Sequence, residues 1–473
     1  MNILDCIVLA LSILAVFAVG VLSRRRSRAS ASEGEFLMAN KSLNKLQTGF
    51  STAATDFGGS GMVGAIGYCY VVGMSGIWWN LTAAPAFLVV GFLFAKAFNR
   101  MDSATLPDYL GKRYSPAVKL LASVMHICSN VALLSSQFTI ACAVLYTITG
   151  FSMTFCLIIC LLLVICLTSG GLRSVVNTDA VLFVIIVVSL VVAVPIVLHA
   201  GGGLGSIAAR LPDGFLRVTE LGFWTPFSWF LLCFIGYSTN QNYVQRMAAA
   251  ETEDTARFGA IFSGCFYLII SVILGIIGVS AAVLMPGIED SNAVFPELLL
   301  LRFFPHGLIG LGVAGVFAAT ISTATSILHA TTTLIVNDIW VPLRREKAVG
   351  VVRVSRAMVW VVALLSIGVS MVSQNIINVI YISGLFYGAC VFVPMVFGMK
   401  SSFANANGAL ASMLAALAVS LAWEYLPRFR PAVLEALPSN VVGILIGAIV
   451  LTAVSKLGAS GSPRKTNHTQ IKE

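Results

Sequence analysis

Apolar residues run along this chain in stretches long enough to cross a bilayer, separated by short polar and charged clusters. A spanning helix needs about 20 such residues. About thirteen stretches qualify, beginning near 3, 47, 77, 116, 152, 177, 224, 257, 306, 350, 375, 404 and 438, and they are numbered here as spans one to thirteen. The pattern predicts an all-α integral membrane protein built as a single domain over 1–473. Within it, span nine departs from plain apolarity in a regular way. Its stretch VAGVFAATISTATSILHATTTLIVND (313–338) puts Ala319, Ser322, Thr323 and Ser326 at i, i+3, i+4 and i+7, one stripe of a helix. Hydroxyls supply oxygen lone pairs without a full charge, which suits a dehydrated sodium ion when helix-end carbonyls complete its shell. The same small residues also let two helices approach closely, and the run alone leaves both readings open.

Spans two and seven are interrupted. AATDFGGSG (53–61) sets three glycines and an acid inside a stretch that otherwise spans, and broken helices at membrane depth are tolerated where they line a cavity or an ion site. Asp56 is the sharpest residue there. A charge at the bilayer centre costs on the order of 3 kcal/mol and is normally paired, protonated or bound to a cation; Asp also suits the cap of a second half-helix. Five spans later, WTPFSWFLLCFIGYSTNQNYVQR (224–246) carries the polar patch Gly236, Ser238, Thr239, Asn240, Gln241 and Asn242. Five is odd, so span seven crosses opposite to span two. Interrupted helices in corresponding positions of inverted halves point to a transporter binding site.

Composition narrows the class. With 58% hydrophobic and 10% charged residues, and a mean hydropathy of +0.93, a soluble domain is excluded. The net charge of +9 does not point to nucleic acid, because the basic residues lie in short loops suited to anionic membrane lipid. An N-terminus outside and a cytoplasmic C-terminus leave only Arg210, Arg217, Arg302, Arg428 and Arg430 outside, as positive-inside retention requires. The Arg cluster follows the first apolar stretch instead of preceding it, so span one (3–22) reads as retained, not as a cleaved signal. All ten cysteines fall within apolar stretches, where they act as small hydrophobes and imply no disulfide framework or zinc site.

AATDFGGSG, GGLRSVVNTD (170–179), NQNYVQR (240–246) and AATISTATS (318–326) together resemble the sodium/solute symporter family, the proline, sialic acid, pantothenate and sugar carriers, in order and spacing across almost the whole chain. The resemblance implies a LeuT-like fold. Two inverted five-helix repeats would occupy about 47–200 and 224–400, with discontinuous helices at spans two and seven, spans twelve and thirteen at about 404–457, and a short cytoplasmic tail, 458–473. It implies sodium held by the carbonyls of Ala54, Phe57 and Ala319 and the hydroxyls of Ser322 and Thr323. One Na+ is expected; some members hold a second, which would here use Asp179, Ser322, Thr325 and Ser326. Asp179, after Thr178 and before an apolar run, also reads as the cap that opens span six. Solute contacts would fall on Asp56, Gly58, Gly61, Asn80 and Asn240, with Trp79 and Tyr243 as outer and inner gates. Gly58 and Gly61 stand where relatives often carry polar side chains, which removes donors and leaves room. Asp56 could meet an ammonium, and a carboxylate would have to use half-helix N-termini; the favoured solute is an amino acid or related zwitterion.

The expected activity is thus sodium-coupled import of a small organic solute across the plasma or inner membrane, with no obligate protein partner. The alternatives are proton coupling on the same fold and a receptor that does not transport. His126 and His329 are the candidates for carrying protons, and each equally suits a helix–helix hydrogen bond. No HExxH, GxSxG or paired-acid motif argues for an enzyme.

Overall fold

The structure, a computed structural model, describes residues 2–29, 32–300, 304–344, 350–372, 383–426, 428, 430 and 437–459. The predicted start of span eleven near 375, Arg302, and the tail beyond 459 lie outside the described residues. The principal helices are α1 (Ile3–Ala29), α2 (Lys45–Asp56), α3 (Ala65–Val72), α4 (Ala83–Leu93), α5 (Leu106–Arg113), α6 (Pro116–Thr149), α7 (Met153–Thr168) and α8 (Leu172–Ala200). They continue as α9 (Trp224–Thr239), α10 (Gln241–Ala249), α11 (Glu253–Leu284), α12 (Leu308–Thr333), α13 (Val351–Val372), α14 (Cys390–Lys400), α15 (Ala406–Tyr425) and α16 (Ser439–Ala459). Among the described residues, nine helical stretches are long and apolar enough to cross a membrane.

Local sequence explains most boundaries. α2 opens on a capping box: the Asn44 side chain accepts from Gln47 N (2.9 Å), and the Gln47 side chain accepts from Asn44 N (3.1 Å). α6 starts on Ser115 with Pro116 at its first position. α8 corrects the reading of Asp179 as a cap. Gly171 at φ +81° forms the start, a conformation that glycine adopts without strain, so helix runs from Leu172 and Asp179 lies two turns inside, fully buried.

α12 is the axis of the molecule. It packs against α8, α6, α1, α2, α7 and α13, and is buried along nearly its whole length. A helix apolar and buried all round has to spend its few polar groups inside the protein. Its first turn is satisfied from a distance, because Asp5 Oδ1 in α1 accepts from Gly307 N (2.6 Å) and Gly310 N (3.3 Å). That carboxylate sits where the helix dipole is positive. Leu43, just before α2, pairs with the end of α10 as an isolated bridge: Leu43 N donates to Ala249 O (3.2 Å) and Glu251 N to Leu43 O (3.0 Å).

Candidate functional site

The interruption after α2 has a specific geometry. Gly58 N would normally donate to Ala54 O four residues back; it donates instead to Asp56 O at 2.8 Å. Phe57, at φ −78° and ψ 67°, is the centre of that inverse γ-turn. Ala54 O is thereby released from the helix and receives the Ser322 hydroxyl of α12 at 2.8 Å. Ser322 also reaches Ala319 O (3.0 Å), as does Thr323 (3.1 Å). The oxygens of Ala54, Ala319, Ser322 and Thr323 therefore gather in one buried junction of α2 and α12. A helix-end carbonyl, a second carbonyl and two neutral hydroxyls are the donor set a hard monovalent cation accepts in place of water.

Gly58 does not leave room for a solute. A Cβ there would lie 2.9 Å from Thr323 Oγ1 and 3.0 Å from Gln137 Oε1, so the glycine lets the break close against α12 and α6. Gly61 is less crowded, with Phe57 and Asn80 beyond 3.4 Å from its Cβ position, and its carbonyl takes the Asn80 amide at 2.6 Å.

The second interruption is a single residue. Asn240, extended at φ −68° and ψ 129°, ends α9 and caps α10, with its side chain accepting from Asn242 N at 3.0 Å. Thr239 O, freed by the break, meets His126 Nε2 of α6 at 2.9 Å, while His126 Nδ1 contacts Ala122 O at 2.8 Å. His329 Nε2 contacts Phe36 O at 3.0 Å. Both histidines thus serve carbonyls on neighbouring elements.

Asp56 is held between the two interruptions. Its carboxylate accepts from the Tyr237 hydroxyl at 2.6 Å and from the Tyr243 hydroxyl. Phe87 stacks on Tyr237 with centroids 3.8 Å apart, and Tyr243 stands edge-on to Tyr237 at 5.0 Å. The acid remains partly open, unlike its neighbours Thr55 and Phe57. Tyr243, expected as a gate, is therefore a direct partner of the acid. Trp79 packs edge-on against Trp229 of α9 at 5.4 Å.

The residues offered to a second ion are arranged otherwise than expected. Ser326 Oγ lies 3.3 Å from Asp179 Oδ2, but Thr325 gives its hydroxyl to Ser322 O (3.0 Å) and Ser322 faces Ala54. Sequence reasoning missed Arg246, Ser51 and Thr55. The Arg246 guanidinium reaches Asp179 Oδ2 (3.1 Å), Ser326 Oγ (2.5 Å), Ser51 Oγ (2.8 Å) and Asn242 O (2.7 Å). Ser51 donates to Asp179 at 2.6 Å, and Thr55 shares a hydrogen bond with Ser326 at 2.9 Å. The available signal was the Arg that closes NQNYVQR, which reads along the chain as an ordinary basic residue at a span end.

Comparisons with known proteins place the chain in a family and a fold. The model of the "Sodium:solute symporter family" matches residues 36–416. A sodium/pantothenate symporter of Escherichia coli (strain K12) is 26% identical over 472 residues, covering 91% of this chain and 93% of that protein. A sodium/glucose cotransporter of Vibrio parahaemolyticus is 22% identical over 383 residues, covering 72% and 69%. A solved Na+-coupled sialic acid symporter, substrate-bound and outward-open, matches with a TM-score of 0.87 at 18% identity over the full length of both chains. MhsT in complex with L-phenylalanine matches with a TM-score of 0.56 at 14% identity, covering 88% of this chain and 99% of that one. These structural likenesses establish a LeuT-like helical fold. With a family model matched over most of its length, the chain belongs to the sodium:solute symporter family and is a multi-pass, sodium-coupled membrane transporter, not an enzyme.

Proposed function

We propose that the protein imports an amino acid or related zwitterion with sodium by alternating access. Thirteen spans would cross the membrane, N-terminus outside, C-terminus cytoplasmic, with inverted five-span repeats opening on the interrupted spans two and seven. Sodium would lie among Ala54, Phe57, Ala319, Ser322 and Thr323. The observation that carries this is the Ser322 hydroxyl meeting the released Ala54 carbonyl at 2.8 Å across the α2–α12 junction. An ion there adds attraction between a broken helix and an unbroken one, so it favours the arrangement in which the break is closed. Coupling follows when the solute prefers the same arrangement.

For the solute, Asp56 and the aromatic faces of Tyr237, Tyr243 and Phe87 suit an ammonium, attracted by both carboxylate and ring quadrupoles. The start of α10 at Asn240 would offer helix N–H groups to a carboxylate, and Asn80 and Gly61 would complete the pocket, with Gly58 acting through its close approach to α12. Trp79 and Tyr243 would close its two ends. One sodium entering through about 100 mV provides roughly 2.3 kcal/mol, and a tenfold gradient about 1.4 more. That sustains a few-hundredfold accumulation of a neutral solute.

The test is the melting temperature of purified protein in sodium against potassium and choline at equal ionic strength, across a set of amino acids and other small solutes. Binding to the folded state raises apparent stability by mass action. Sodium should stabilise the wild type, one solute class should add a shift only with sodium, and Ser322→Ala and Thr323→Ala should each remove most of the sodium shift. A wild type indifferent to sodium would overturn the reading in favour of proton coupling.

A further inference from the structure

We propose that Arg246 is a tethered cation occupying the place of a second sodium, so that this protein binds a single sodium ion. The inference rests on the sodium reading above and concerns a different group of residues. Asp179, Ser51, Thr55 and Ser326 form an acid–hydroxyl nest between α2, α8 and α12, and every member is buried. Such a nest demands positive charge: an ionised carboxylate this deep needs a partner. The guanidinium supplies it, with one amino group on both Asp179 Oδ2 (3.1 Å) and Ser326 Oγ (2.5 Å) and its Nε on Ser51 Oγ (2.8 Å).

The remaining amino group is anchored to Asn242 O at 2.7 Å, one turn back in α10, which fixes the guanidinium in position. Its ionic partner and two hydroxyl partners come from elements that are not its own. A sodium ion using Asp179 and Ser326 would share their oxygens with a group of the same charge, at buried positions where bulk solvent screens the repulsion poorly. The arginine therefore excludes the ion without changing any of the acid or hydroxyl residues.

The nest keeps its capacity for an ion. Asp179 Oδ1 has no hydrogen-bond partner among the described residues. With the guanidinium removed, two carboxylate oxygens and the hydroxyls of Ser51, Thr55 and Ser326 face one another around a vacated space. The sequence therefore stores a sodium site that one side chain holds shut.

Equilibrium binding of radioactive sodium to detergent-purified protein counts the sites directly, and the same preparations are followed by melting in sodium and in potassium. The wild type should bind one sodium per chain. Arg246→Ala should bind two and show a larger sodium-dependent melting shift, and the double variant Arg246→Ala/Asp179→Asn should return to one. Arg246→Gln, which keeps more of the side-chain volume, repeats the test if the alanine variant does not purify. Two sodium ions bound to the wild type would overturn the inference while leaving sodium coupling intact, and so would a count that stays at one in both Arg246 variants. A wild type binding none defeats the underlying sodium reading, and the Ser322→Ala variant, which should lose its single ion, identifies which site is being counted.

Discussion

At the scale of single residues, the chemistry depends on close approach. Gly58→Ala would put a methyl group 2.9 Å from Thr323 Oγ1, a short side chain with little freedom to retreat. The break would be wedged off α12, and sodium affinity should fall about tenfold, or ~1.4 kcal/mol, measured as a rightward shift of the sodium dependence of melting. The Arg246–Asp179 pair is of a different kind. Removing one partner of a buried ion pair leaves an uncompensated charge and costs about 3–5 kcal/mol, so Arg246→Ala should melt well below the wild type in potassium, with sodium recovering part of the loss. Ser322 and Thr323 were legible in sequence because helical period alone puts them on one stripe. Arg246 was not, because its partners lie 67 and 80 positions away, and only the packing of α10 against α2 and α12 brings them within reach.

Whole elements depend on how they are started and stopped. The start of α5 and that of α6 are pinned together where Asp108 meets Lys119 (2.5 Å) and Lys112 (3.2 Å). Burial pushes the Asp108 carboxyl up, but hydrogen bonds and charge from the two lysines outweigh it and leave the group below its ordinary value of 3.8. A group depressed in the folded state stabilises above the unfolded value, and loses that contribution as pH falls through the folded one. Asp108→Asn should therefore flatten the decline in melting temperature on acidification below about pH 4. The two interruptions were visible as glycine and polar runs within apolar stretches. The true start of α8 was hidden: Thr178 and Asp179 before an apolar run imitate a cap, and only a left-handed Gly171 with an internal partner for the acid reveals the longer helix.

For the whole molecule, hydropathy suffices to read an all-helical, multi-pass membrane protein, whereas the tyrosine pair around Asp56 is unreadable. Tyr237 counts as an apolar-looking aromatic, and Tyr243 as a gate, until both hydroxyls converge on one carboxylate. The proposed orientation has a direct consequence. In a cysteine-free background, Asp213→Cys should react with a membrane-impermeant thiol reagent on intact cells, and Lys456→Cys only after permeabilisation; the opposite pattern would invert the topology.

The contact between Asp5 and the start of α12 joins residues 302 positions apart. During synthesis α1 is made among the first helices, yet its carboxylate cannot meet Gly307 until most of the chain has followed. α12 therefore enters the bilayer with its first turn uncapped and is completed by a helix made earlier. Loss of the first few residues, or Asp5→Ala, would act far from where it is made: it should cost about 1–2 kcal/mol of stability and lower the yield of inserted protein, with the defect arising only after α12 has been synthesised.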